Sequence, residues 1–152
     1  MVDLFLRHQN RFYMLQRMQT LWFLFAAVCA FLTIRLSFFA GNLEVVGQPA
    51  SYQYLNAGFN TWILIITVGL ICVSVIDIFL YKKRKLQSRI AIITMLFSLL
   101  NIYLYYRQTL KFTHGNYALT SVFTFLIPVF LFLAIRGISR DERLVKSLNR
   151  LR

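Results

Sequence analysis

The chain has no Cys-x-x-Cys pair, no glycine-rich phosphate loop, no His-Glu metal motif and no nucleophile elbow. Cysteine occurs twice, at Cys29 and Cys72, both inside apolar stretches, so both read as packed thiols rather than a reactive pair. Histidine also occurs twice, at His8 and His114, each in a connecting segment with no companion at metal-ligand spacing. Only five residues are acidic, against 17 basic ones, and no two carboxylates are placed for hydrolysis. These absences remove the usual signatures of redox, phosphoryl-transfer, metal and hydrolytic chemistry. No cofactor is implied, and an enzyme, lipid-modifying or redox, is the remote alternative.

Long apolar runs fill the space that motifs leave empty. Residues 21–40, 59–81, 90–106 and 117–135 each approach or exceed the roughly 20 residues that a helix needs to cross about 30 Å of hydrocarbon. Of the 152 residues, 59% are hydrophobic, and four crossings leave no room for a soluble catalytic domain. The sequence therefore predicts a single all-α membrane domain, a four-transmembrane-helix bundle. The first run is longer than a signal peptide and lacks a small-residue cleavage site, so it is expected to be a retained span.

A formal charge of +12 would point to nucleic acid in a soluble protein. Here the basic residues sit at the ends of apolar runs. Arg7, Arg11 and Arg17 precede the first; Lys82, Lys83, Arg84, Lys85 and Arg89 follow the second; Arg136, Arg140, Arg143, Lys146, Arg150 and Arg152 follow the fourth. The other two connections hold only Arg107 and Lys111. This asymmetry predicts cytoplasmic termini, and an even number of spans independently requires the termini to share a side. Anionic headgroups are then the expected partners of the basic segments, and nucleic acid is not.

Between the spans, Leu43 to Val46 and Ser51 to Leu55 flank Gly-Gln-Pro-Ala, which predicts a short extracytoplasmic β-hairpin. Residues 107–116 read as a short loop. Residues 1–20 form an N-tail suited to an interfacial helix, and Pro128 is expected to bend the fourth helix. After Gly137, Leu144, Val145, Leu148 and Leu151 share one helical face, which predicts an amphipathic tail over residues 136–152.

Small and weakly polar residues recur at helical spacing in every span. Gln19, Ala26, Ala30, Thr33 and Ser37 align on the first, Asn60, Thr67, Ser74 and Asp77 on the second, Ala91, Thr94, Ser98 and Asn101 on the third, and Ser121, Thr124 and Pro128 on the fourth. Such stripes mark helix contacts in lipid, so they are read as the bundle seam, with a polar conduit as the alternative. Two ionisable residues fall within spans, where a charge is costly without water, a partner or a headgroup. Asp77 lies on the inward stripe, with Gln19, Arg17 and Thr94 as expected partners. Arg35 faces away from the stripe, toward Glu44, a headgroup or another subunit.

The run Met14-Leu15-Gln16-Arg17-Met18-Gln19-Thr20 ahead of an apolar span, and the ending Asp141-Glu142-x-Leu144-Val145-Lys146-Ser147-x-x-Arg150-Leu151-Arg152, resemble a family of small bacterial inner-membrane proteins. That family is the domain of unknown function numbered forty-two ninety-three. The resemblance covers Met14 to Arg152 and implies four helices in a bacterial inner membrane. It draws attention to Gln16, Arg17 and Gln19 at the cytoplasmic mouth and to the charged tail. It carries no catalytic residue, and Met1 to Tyr13 reads as an extension or an upstream start. The expected function is a non-enzymatic accessory, assembly or scaffold component that contacts another membrane protein or a second copy. An oligomeric channel or transporter lined by Asp77 and Asn101 is the alternative.

Overall fold

The computed structural model describes the backbone of residues 2–43 and 51–150, and the side chains of 18–43, 51–81 and 83–143. Its order is α1 (Val2–Arg35), β1 (Phe39–Leu43), β2 (Ser51–Leu55), α2 (Thr61–Phe79), α3 (Arg84–Thr109), β3 (Phe112–Tyr117) and α4 (Val122–Arg150). Short 3-10 turns at Ala57–Phe59, Leu80–Lys82 and Leu119–Ser121 join the helices to what precedes or follows them. All four helices are long and apolar enough to cross a membrane, over Met18–Arg35, Thr61–Phe79, Arg84–Thr109 and Leu119–Arg143.

Each helix packs chiefly on two neighbours: α1 lies against α2 and α4, and α3 lies against the same pair. Small residues permit this. Ala26 and Ala30 of α1, Ala91 of α3 and Ala134 of α4 are buried with Phe23, Leu70, Ile127 and Leu131 in one core. Large apolar side chains face outward instead, among them Leu24, Phe31, Ile65, Leu96, Phe97, Val129 and Phe132. Small residues inside and large apolar ones outside reverse the order of a water-soluble bundle and suit hydrocarbon solvent.

At the end of the bundle away from the basic α2–α3 turn, the backbone turns into an antiparallel sheet of order β2-β1-β3. The expected first span stops at Arg35, five residues short of Ala40, because Phe38 and Phe39 turn into a second core with Leu55, Ile63, Tyr105 and Phe112. Phe38 stacks on Tyr105 with ring centroids 4.7 Å apart. Its N–H donates to the Leu55 carbonyl at 2.6 Å, and its own carbonyl accepts from Ala118 at 3.1 Å.

The expected hairpin is therefore enlarged and shifted. Its second strand stands at Ser51–Leu55, but its first is Phe39–Leu43, and residues 44–50 lie outside the described residues. A third strand, β3, occupies the segment read as a loop. β1 pairs with both others, from Phe39↔Leu55 to Leu43↔Ser51 on one side and from Phe39↔Tyr117 on the other, with a bulge before Leu43↔Phe112.

α4 continues without interruption from Val122 through Pro128 and Gly137 to Arg150, so the segment expected as a tail extends the fourth helix. Gly137 faces Gln19 of α1, and a Cβ there would stand 3.1 Å from the Gln19 Cγ. The side chains of Leu144, Val145, Leu148 and Leu151, which would define the amphipathic face, lie outside the described residues.

One cross-strand pair demands glycine on both strands. Gly41 faces Gly115, and a Cβ on either would lie 2.8 Å from the other's Cα and against the backbone carbonyl of His114 or Ala40. Only a backbone shift would relieve this overlap. Gly69 in α2, by contrast, has nothing within 4 Å. Gly41→Ala is expected to lower stability by about 2 kcal/mol or more, whereas Gly69→Ala should be neutral or gain up to about 1 kcal/mol from helix propensity. Thermal unfolding in detergent measures both. Equal tolerance of the two changes would refute the close pairing of β1 and β3.

Candidate functional site

Polar side chains from all four helices are buried near the basic end of the bundle. Gln19 of α1 reaches across to α4, where its Nε2 donates to the Asp141 Oδ2. Asp141 lies one turn beyond Ile138 on the same inward face as Ile127, Leu131 and Ala134, and is 3% exposed. On α3, Arg84 and Gln87 stand one turn apart and serve different neighbours. Arg84 lies within electrostatic reach of Asp141, as does Arg140. Gln87 is buried and donates its Nε2 to the backbone carbonyl of Asp77 at 2.8 Å. That carbonyl also accepts the N–H of Leu80 where α2 ends.

The Asp77 side chain is 0% exposed. Neither carboxylate oxygen has a hydrogen-bond partner among the described residues. Of the three expected partners, Gln19 is taken by Asp141, Thr94 donates to the Ile90 carbonyl of its own helix at 2.9 Å, and the Arg17 side chain lies outside the described residues. The Gln16 side chain lies outside them too.

Toward the sheet end, Asn101 of α3 is 1% exposed and donates its Nδ2 to the Thr67 hydroxyl of α2 at 3.2 Å. Thr67 in turn donates to the Ile63 carbonyl at 2.7 Å. The Tyr105 hydroxyl sits near Thr33 and Thr67 without reaching hydrogen-bond geometry to either. The inward stripe thus runs the length of the bundle. Arg35, as expected, is on the outside.

Among the described residues, the buried atoms left without a partner share a chemistry. They are both Asp77 carboxylate oxygens, Asn101 Oδ1, Gln108 Oε1, Asp141 Oδ1 and the Tyr105 hydroxyl. All are oxygens, and only tyrosine can donate without first binding a proton. The described interior is short of donors. Among the described residues no group of three or more His, Cys, Asp or Glu side chains is placed to hold a metal ion. Cys29 is buried, but Cys72 is exposed on the outward face of α2, which corrects its reading as a packed residue. Neither cysteine is in a disulfide, and intact mass after thiol blocking should show two free thiols. A mass lower by two hydrogens would contradict this.

Asp141 and Gln87 are the site residues that the sequence reading passed over. Asp141 was visible as part of the terminal motif, and its phase continues the inward stripe of α4. Placing residues 136–152 in a tail, apart from the span, separates Asp141 from that stripe. Gln87 gave little signal, because its role depends on how the α2–α3 turn places it against a helix end.

Asp141 should matter for stability where Asp77 does not. Asp141→Leu leaves the Gln19 amide buried without an acceptor and is expected to cost about 1 to 3 kcal/mol, with Asp141→Asn largely sparing it. Asp77→Leu removes a group that bonds to nothing described and should be neutral or stabilising. Melting of the purified variants in detergent tests the contrast, and an Asp77→Leu loss as large as that of Asp141→Leu would contradict it.

A family model described as a Domain of unknown function (DUF4293) matches residues 15–151 of the chain. No curated protein matches, and no solved structure does.

Proposed function

The chain belongs to the DUF4293 family, and from that premise we propose an integral protein of the bacterial inner membrane, with both termini cytoplasmic, that serves without enzymatic activity as an accessory, assembly or scaffold component of a membrane complex. The observation that carries this is the closure of the interior within one chain. Gln19, Thr67, Gln87, Thr94 and Asn101 bond to neighbouring helices or to their own, and the Asp77 carboxyl is enclosed without a partner among the described residues. The sheet end is filled by Phe38, Phe39, Leu55, Tyr105 and Phe112, all less than 10% exposed. What remains for other molecules is the outside.

Three outward features support contact with partners. Large apolar side chains cover the helices, and Arg35 is exposed at the sheet end of α1. Exposed Lys83, Lys85, Arg89, Arg136, Arg140 and Arg143 gather at the opposite end, where anionic headgroups would meet them. The same clustering favours cytoplasmic termini. The partner is another membrane protein or a second copy of this chain. No cofactor is assigned.

The alternative of an oligomeric channel or transporter is less well supported. Asp77 and Asn101 lie inside the single bundle, 0% and 1% exposed, so a path formed between copies would not be lined by them.

Two measurements test the proposal. Reporter fusions at the C-terminus should register in the cytoplasm, and those near Gly47 outside it. Crosslinking in intact cells before purification should recover a defined membrane-protein complex or a homo-oligomer. An external C-terminus would refute the topology, and recovery of the free chain alone would refute the accessory role.

A further inference from the structure

The carboxyl group of Asp77 is fully buried among apolar helices and has no donor among the described residues, yet the chain holds a second buried carboxyl that is well provided for. Asp141 accepts from Gln19 and lies near Arg84 and Arg140. The described donors expected beside Asp77, and the one found at its backbone, are already committed. From α1, Gln19 is turned to Asp141. From α3, Gln87 gives its N–H to the Asp77 backbone carbonyl, and Thr94 gives its proton to Ile90. An ionised carboxylate in that place would be a bare negative charge in an apolar interior, a state that such groups escape by neutralisation.

We propose that Asp77 is a proton-binding site, its carboxyl group present inside the closed bundle as the neutral acid. A bound proton needs no ligand shell and turns one acceptor oxygen into a donor, in an interior whose unpartnered oxygens lack donors. A metal ion fits less well. It would need several oxygens converging on it, and the amide of Gln87 presents its donor N–H to the backbone oxygen that such an ion would share. The site owes nothing to the fold's stability, because no described group depends on the carboxyl. It rests on the burial of Asp77 and not on the identity of any partner in the accessory reading.

Dicyclohexylcarbodiimide, an apolar reagent, tests this on the full chain in membranes. A carboxylic acid gives its proton to a carbodiimide nitrogen while its oxygen attacks the central carbon. The O-acylisourea then rearranges to a stable N-acylurea, so the whole reagent is added and nothing is lost. Peptide mass mapping of the unaltered protein should place one adduct on Asp77 and none on Asp141. Asp77→Asn should abolish that adduct, and Asp77→Glu should retain it. No adduct at Asp77, or equal labelling by a water-soluble carbodiimide, would overturn the proposal. Protection by sodium but not by potassium would also overturn it, assigning a sodium site instead. Because mapping uses the unaltered chain, failure of a variant to fold leaves the test intact.

Discussion

Buried polar groups in a four-helix interior must be satisfied by the few residues within reach, and that constraint organises this protein. Where helices meet along alanine, serine and threonine, their backbones approach closely enough for short side chains to bond to neighbouring turns. Thr33, Thr67, Thr94 and Ser98 each return a proton to a carbonyl of their own helix. Longer side chains span between helices: Asn101 to Thr67, Gln87 to α2 and Gln19 to Asp141. The last of these joins the first and fourth helices across 122 positions of sequence. It brings together the two terminal motifs on which the family resemblance rests.

The same constraint explains the sheet end. Where helices end, the backbone groups that they no longer pair must find other partners. The chain does so with three short strands whose inner face carries Phe39 and Leu55, while Phe38, at the end of α1, stacks on Tyr105 from α3. The sheet is thus fastened to the bundle by aromatic packing rather than by its own area, which for so few residues would be marginal alone. The glycine pair at Gly41 and Gly115 lets β1 and β3 approach at the point where side chains would have collided.

Much of the interior could be read from the sequence. The inward stripe was visible because helical period and small side chains coincide, and Ala26, Ala30, Thr67, Ser74, Asp77, Thr94, Ser98, Asn101 and Thr124 are all buried. Other features needed the fold. β3 carries Thr113, His114, Gly115 and Asn116 between two aromatics, a composition with turn character, and only its pairing with a distant strand makes it extended. Asp141 falls in the segment read as a tail apart from the span, beyond Gly137, where glycine faces Gln19. Cys72 sat in an apolar stretch that says nothing about which side faces lipid. The orphaned state of Asp77 depends on where Gln19 and Thr94 spend their hydrogen bonds, and no periodicity records that.

The central claim is that the polar seam closes within a single chain. It is tested most directly by replacing Cys29 and Cys72 with serine, placing cysteines at Thr67 and Asn101, and treating membranes with a short thiol-bridging reagent. The account predicts an intrachain link between α2 and α3 in nearly every molecule. Links formed only between two chains, or none at all with both thiols open to small water-soluble reagents, would contradict it.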